Sequence, residues 1–190
     1  MESSVGITMK VINFFAGPSA GKSTIAAALF HKMKIEGFNV ELVTEFAKDI
    51  VYDERFSIFK RQDYMFAQQR HRLERLRGKV DFVITDSPLL LIMVYSEDQA
   101  TWRKSTNDLF KSFIYNVAVN EYDNINLFIQ RPDKGFRSDG RIHDLEDSIR
   151  VDKSILTLFE RYNIQHSRWE ATPTIHEEIY KFLLQKDINK

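Results

Sequence analysis

The segment whose residue types and spacing most directly specify chemistry is Ala16-Gly17-Pro18-Ser19-Ala20-Gly21-Lys22-Ser23-Thr24. It follows the pattern G-x-x-x-x-G-K-[S/T], with Ala16 in place of the first glycine. In a tight turn of this composition, successive backbone N–H groups line a concavity that suits anions. A helix starting there points the positive end of its dipole at the same place. Residues Gly17, Pro18, Ser19, Ala20, Gly21, Lys22, Ser23 and Thr24 are therefore expected to cradle a phosphate chain. Gly21 lets the backbone close on it, Lys22 brings a point charge to the outer phosphates, and the Ser23 hydroxyl is a candidate Mg²⁺ ligand. Ala16 is harmless wherever its φ is negative.

Chemistry of this kind needs a carboxylate near the metal, commonly at the end of a buried strand. Val83-Ile84-Thr85-Asp86 supplies one, and Asp86 is expected to face the cradle as a catalytic and metal-binding residue. The competing reading is a helix-start Asp. Glu45 ends another apolar run. It is a candidate to accept the proton of an acceptor hydroxyl or to bind the acceptor itself, against the reading of a Glu favoured by a helix dipole. The segment Arg131 to Arg141 holds Arg131, Lys134, Arg137 and Arg141 together with Gly135 and Gly140. An insert over about 131–143 is expected to act as an arginine-rich lid, closing over the site and neutralising charge on a transferring phosphoryl group. Arg131 counts among the nucleotide-contacting residues, and Arg137 and Arg141 among the catalytic ones.

The elements that must hold these residues alternate. Lys10–Phe15 is a short apolar run suited to a strand buried on both faces. Ile25, Ala28, Leu29 and Met33 follow at helical spacing, ending at Gly37. Further strands are expected at 40–44, 80–85, 125–130 and 164–168. Helices are expected at 45–52, 57–77, 144–162 and around Ile175, Ile179 and Leu183. Ser87 is placed to cap a helix with Pro88 in its first turn, and Trp102, Leu109, Phe110, Phe113 and Val117 form one more stripe. Strands alternating with helices predict an α/β domain, a P-loop NTPase-type parallel five-stranded sheet with helices on both faces and the lid attached. At 190 residues a single domain over 1–190 is expected.

Composition narrows the function. The chain has 27 basic and 27 acidic residues and no Cys. A neutral balance argues against a dedicated nucleic-acid or membrane-surface binder, and the lack of cysteine removes thiol catalysis and disulfide scaffolds. Seven Gly and four Pro among 43% hydrophobic residues is an ordered, globular composition. No segment approaches the ~20 apolar residues of a membrane span, and Met1-Glu2-Ser3-Ser4 lacks the basic start of a secretory leader. A cytoplasmic protein is expected. The five histidines show no metal-ligand spacing. Arg70, Arg72, Arg75, Arg77 and Lys79 are expected to be a solvated helix face, with a nucleic-acid patch as the alternative. Phe66 fits the core stripe better than a base-stacking role; Ala171-Thr172-Pro173 is a candidate edge for an adenine ring.

Taken together these residues resemble the small P-loop kinases of the nucleoside and nucleotide kinase group. The nearest likeness is to the ribosylnicotinamide-kinase type of AAA-labelled domain. The shared features are Ala16–Thr24, Thr44-Glu45-Phe46-Ala47-Lys48, the aromatic helix from Gln62-Asp63-Tyr64, Ile84-Thr85-Asp86, and Ser138-Asp139-Gly140-Arg141 before a long helix. The group often has Arg where Lys48 stands. The resemblance spans roughly residues 9–185. It implies ATP and Mg²⁺ as cosubstrates, Asp86 near the metal or acceptor, and Arg141 near the phosphates. The function expected is an ATP-dependent kinase acting on a hydroxyl or phosphate of a nucleoside- or nucleotide-like acceptor. The alternatives are a kinase acting on a modified base or an end within DNA, and a nucleotide-switched binding module.

Overall fold

The computed structural model describes residues 9–96, 102–131 and 145–186. Its strands are β1 (Lys10–Phe15), β2 (Val40–Val43), β3 (Phe82–Thr85), β4 (Asp123–Gln130) and β5 (Ser167–Glu170). They form one sheet in the order β2-β3-β1-β4-β5, and every pairing is parallel. The helices are α1 (Lys22–Ile35), α2 (Phe46–Tyr52), α3 (Gln62–Glu74), α4 (Leu91–Tyr95), α5 (Lys104–Asn120), α6 (Leu145–Arg161) and α7 (Ile175–Gln185). Alternation along β1 divides the core. Val11 and Phe15 face a layer that includes Phe66, Leu73, Ile114, Ile155 and Phe159. Ile12 and Phe14 face Leu29, Met33, Ile179 and Leu183 of α1 and α7. A parallel sheet covered on both faces explains why β1 is apolar throughout.

Asn13 is the polar exception. Only 4% exposed, it donates through Nδ2 to Asn124 Oδ1 at 2.9 Å and Asn126 Oδ1 at 3.1 Å. Amides at matched positions of neighbouring strands favour the observed register, in which Asn13 lies opposite Asn126, because a one-residue slip would turn them to the other face.

Register also builds the site. Asn13 and Val43 both lie opposite Thr85, and Phe15 lies opposite Phe128. The carboxyl ends of β1, β2, β3 and β4 therefore share one edge of the sheet, where ligands bind in open α/β sheets.

Some expected elements differ. The single helix at 57–77 is a 3-10 turn, Phe56–Lys60, followed by α3. Arg61 has φ −114° and ψ 74° and breaks the run, and Gln62 Nε2 donates to the Phe59 carbonyl at 2.9 Å across the break. Ser87 does not cap a helix and Pro88 is not in a first turn. The Ser87 N–H is taken by Thr85 Oγ1 at 3.1 Å, and α4 starts only at Leu91. Ile164 closes α6 instead of opening a strand. Asn163 sits at φ 50° and the Ile164 N–H returns to the Phe159 carbonyl, a left-handed helix stop that delays β5 to Ser167. The stripe on α5 is also divided. Leu109 and Phe113 are 72% and 50% exposed, while Ile114, Val117 and Ala118 are buried.

Candidate functional site

The turn after β1 departs from ordinary backbone at two residues, Ser19 at φ 65° and Gly21 at φ 88°. Paired departures of this kind turn successive N–H groups inward. Gly21 stands at the N-cap of α1 and brings no side-chain cap, and the first helical turn carries no acid. The helix dipole end is left to an anion. Ala16 is fully buried and is not among the residues with positive φ, so its methyl costs the turn nothing.

Gly17 needs to be glycine for space, not for φ. A Cβ there would meet the Ser148 backbone carbonyl at 2.3 Å, Asp152 Oδ1 at 3.1 Å and Arg131 Nη2 at 3.2 Å. The turn is pressed against α6, and Asp152 fastens it. Its Oδ1 accepts the Gly17 N–H at 2.5 Å while Oδ2 accepts from Arg131 Nη2 at 3.2 Å.

Lys22 folds back over the turn, with Nζ donating to the carbonyls of Ala16 at 2.7 Å and Gly17 at 3.0 Å. The residue as a whole is half-buried, but its ammonium is enclosed. Burial lowers its pKa below the usual lysine value, opposed by the carboxylates of Glu45, Asp86 and Asp152 and assisted by Arg131. A phosphate chain would add the negative charge this ammonium lacks.

Asp86 follows β3 and is 3% exposed. Its Oδ2 pairs with Lys48 Nζ at 3.1 Å, and the same ammonium donates to Ser23 Oγ at 2.7 Å. Oδ1 is buried without a hydrogen-bond partner. A buried carboxylate with an unpartnered oxygen beside a hydroxyl is a donor set that fits a hard divalent cation. Mg²⁺ characteristically keeps several waters and takes only one or two protein oxygens. No group of three or more His, Cys, Asp or Glu that could hold a metal is found among the described residues; Ser23 and Asp86 are the oxygens joined through Lys48.

Glu45 stands at the N-cap of α2 with extended backbone. Gln69 fixes the corner around it, accepting the Phe46 N–H at 3.0 Å and donating to the Thr44 carbonyl at 3.4 Å. Arg72 also donates to that carbonyl, pairs with Asp49, and lies over the Phe46 ring. Tyr95, at the end of α4, has its hydroxyl pKa raised well above the ordinary value. Burial is the main cause, and the nearby charges of Glu45 and Asp152 add to it.

The structure thus brings Gly17–Thr24, Glu45, Asp86 and Arg131 to one sheet edge and adds Asp152, Gln69, Lys48 and Tyr95. Arg137, Arg141 and the rest of the expected lid lie outside the described residues, as does His143. Of the five cations at 70–79, two on α3 and one just after it have carboxylate partners. Arg70 pairs with Glu121 at 2.7 Å, Arg72 with Asp49, and Arg77 with Glu74 at 2.8 Å. Tyr64 packs edge-on against Phe46, and Phe66 is buried. No helix among the described residues is long and apolar enough to cross a membrane.

A family model described as an AAA domain matches residues 11–174. A search of curated proteins finds no match. Among solved structures, thymidylate kinase from Ehrlichia chaffeensis is similar over 93% of this chain and 99% of its own, at 16% identity and a TM-score of 0.61. Deoxyadenosine kinase from M. mycoides is similar over 92% of this chain and 99% of its own, at 20% identity and a TM-score of 0.55. A NadR protein in complex with NAD and AMP-PNP is similar over 96% of this chain and 51% of its own, at 13% identity and a TM-score of 0.67. At such identities the likeness is one of fold: a parallel P-loop sheet of the kind that nucleoside and nucleotide kinases use.

Proposed function

The chain belongs to this AAA domain family, and we propose that it is an ATP-dependent kinase for a nucleoside- or nucleotide-like acceptor. The observation that carries the proposal is the geometry of the turn after β1: positive φ at Ser19 and Gly21, an α1 start with no side-chain cap, Lys22 Nζ folded over the carbonyls of Ala16 and Gly17, and a buried Asp86 at the end of the neighbouring strand. Phosphoryl transfer asks little covalent chemistry of a protein and much positioning and charge stabilisation. In this reading the turn and the start of α1 bind the outer phosphates, and Lys22 leaves the carbonyls of Ala16 and Gly17 for the transferring group. Ser23 and Asp86 are the residues that hold Mg²⁺, which supplies charge neutralisation at the phosphates when bound. Glu45, held at its corner by Gln69, orients the acceptor hydroxyl and takes its proton. Asp152 keeps the turn and Arg131 in place. Arg137 and Arg141 are assigned to charge developing on the transferred group.

A small acceptor is favoured over DNA because Arg70, Arg72 and Arg77 have protein partners, whereas a DNA backbone contact draws on free cations. The test is an ATP-consumption screen against nucleosides, nucleotides, ribosylnicotinamide and DNA, run beside Lys22→Ala. Turnover with a nucleoside or nucleotide that Lys22→Ala abolishes supports the proposal. Consumption with no acceptor at all, or activity untouched by Lys22→Ala, overturns it. DNA as the only acceptor replaces the substrate class.

A further inference from the structure

The ion pair between Lys48 and Asp86 joins the two oxygen-bearing residues that the site offers to a metal. Lys48 Nζ lies 2.7 Å from Ser23 Oγ and 3.1 Å from Asp86 Oδ2. Asp86 is almost wholly buried, and an isolated buried carboxylate is costly unless a cation accompanies it. The Lys48 side chain, by contrast, is 43% exposed. One partner is fixed in the floor of the site, while the other reaches it from α2 on a long stem with water beside it. A lysine stem is flexible and its head is a compact charge, so it can leave without disturbing the core.

We infer that the Lys48 ammonium is a built-in counter-ion that occupies the cation position between Ser23 and Asp86 and competes with Mg²⁺ for it. The inference rests on the kinase reading above and adds a regulatory element to it. With the ammonium 2.7 Å from Ser23 Oγ, a divalent cation on that oxygen would be pressed against it whichever Asp86 oxygen the metal took, so the two like charges exclude each other. With no metal present, Lys48 neutralises Asp86 and leaves a positive head beside the cradle, which favours a phosphate chain that carries no metal. Metal arrival displaces that head toward solvent. The protein is thereby set to respond to free Mg²⁺ over a higher range than its carboxylate alone would give. Another cation close enough to feel the Asp86 charge is Lys22, which is also influenced by Glu45, Asp152 and Arg131.

The test is a binding titration of the full chain with a non-hydrolysable ATP analogue, first in chelator and then with Mg²⁺ added stepwise. Wild type is compared with Lys48→Met and Lys48→Arg. Lys48→Met should weaken metal-free analogue binding and lower the Mg²⁺ midpoint, each by roughly fivefold, as expected for a modest ion pair. Lys48→Arg, which keeps the charge, should retain most of both effects. The opposite signs separate competition from general damage, because a misfolded variant would weaken both. A second readout needs no variant: amine labelling of Lys48 in wild type should rise severalfold when Mg²⁺ and the analogue are added together. Unchanged titrations in Lys48→Met, a raised Mg²⁺ midpoint, or constant labelling of Lys48 overturns the inference while leaving the kinase reading standing. If wild type binds no analogue with or without metal, the kinase reading fails first, and this inference fails with it.

Discussion

Gly17→Ala is the sharpest test of how the phosphate turn is held. The added Cβ would lie 2.3 Å from the Ser148 carbonyl oxygen, where ordinary contact begins near 3.4 Å. That oxygen is backbone within α6, so no side-chain rotation relieves the clash. The turn and α6 must separate by about 1 Å, which also stretches the Gly17 N–H contact to Asp152. Forcing a group of this size into a packed contact costs ~1–3 kcal/mol. For a chain of this length each kcal/mol lowers Tm by roughly 2–4 °C, so a fall of about 2–12 °C is expected. Misplacing a reacting group by ~1 Å can cost ~10²-fold in rate, so ATP-dependent turnover should fall further than stability does. Thermal unfolding with and without ATP measures the first effect, and steady-state turnover the second. The companion is Ala16→Gly, which restores the glycine missing from the motif. Because Ala16 is buried with negative φ, the change removes a packed methyl and adds backbone freedom. It should destabilise by about 1 kcal/mol and leave ATP affinity unchanged. A Gly17→Ala protein with wild-type Tm and turnover, or an Ala16→Gly protein that binds ATP more tightly, would refute the reasoning.

Asp86→Asn keeps the side-chain shape and removes the charge; turnover should fall by roughly two to three orders of magnitude, as when one strong electrostatic element is lost, and full activity at limiting Mg²⁺ would remove Asp86 from the site. Glu45→Gln should depress transfer to the acceptor while leaving ATP affinity, measured by equilibrium binding, within about twofold; a loss of ATP affinity instead would move Glu45 from the acceptor to the nucleotide. Glu74 tests acid stability away from the site. Hydrogen bonding from Arg77, with Tyr122 also donating, lowers its pKa from 4.5 to about 2. A folded-state pKa below the unfolded one contributes stability that is complete above about 4.5 and is lost as pH falls toward 2. Urea midpoints followed from pH 5 down to pH 2.5 should therefore drop less steeply in Glu74→Gln than in wild type, and parallel curves would refute the linkage.

The parts of the site legible in the sequence are those whose chemistry is local. The turn from Ala16 to Thr24 announces itself because one short segment supplies the strand, the anion-binding backbone and the start of the helix. Asp86 and Glu45 were placed by a rule that needs only strand ends and parallel topology. The starts of α3 and β5 were missed because single residues decide them: Arg61 leaves helical backbone ahead of α3, and Asn163 adopts a left-handed conformation that turns Ile164 back onto α6. Average apolar spacing carries no information about either.

Asp152 and Gln69 were missed for a different reason. Asp152 reaches Gly17 across 135 positions of sequence, and no local pattern says which helix will lie on the turn. Both nevertheless leave a trace. Ser148, buried with Val151, Ile155, Leu158 and Phe159 on one face of α6, is a polar residue on an apolar stripe, and Asp152 follows one turn later. Gln69 likewise interrupts Phe66 and Leu73 on α3. A polar group in a core stripe must be hydrogen-bonded, and its neighbours along the stripe are apolar. Backbone not already used by regular structure is the partner at hand, and in this fold such backbone is concentrated at the turns along the carboxyl edge of the sheet. Gln69 on Thr44 and Phe46, and Asp152 on Gly17, both satisfy that requirement. Gln69, which interrupts the core stripe of α3, and Asp152, one turn after the stripe's Ser148 on α6, hold the two corners carrying Glu45 and the phosphate turn.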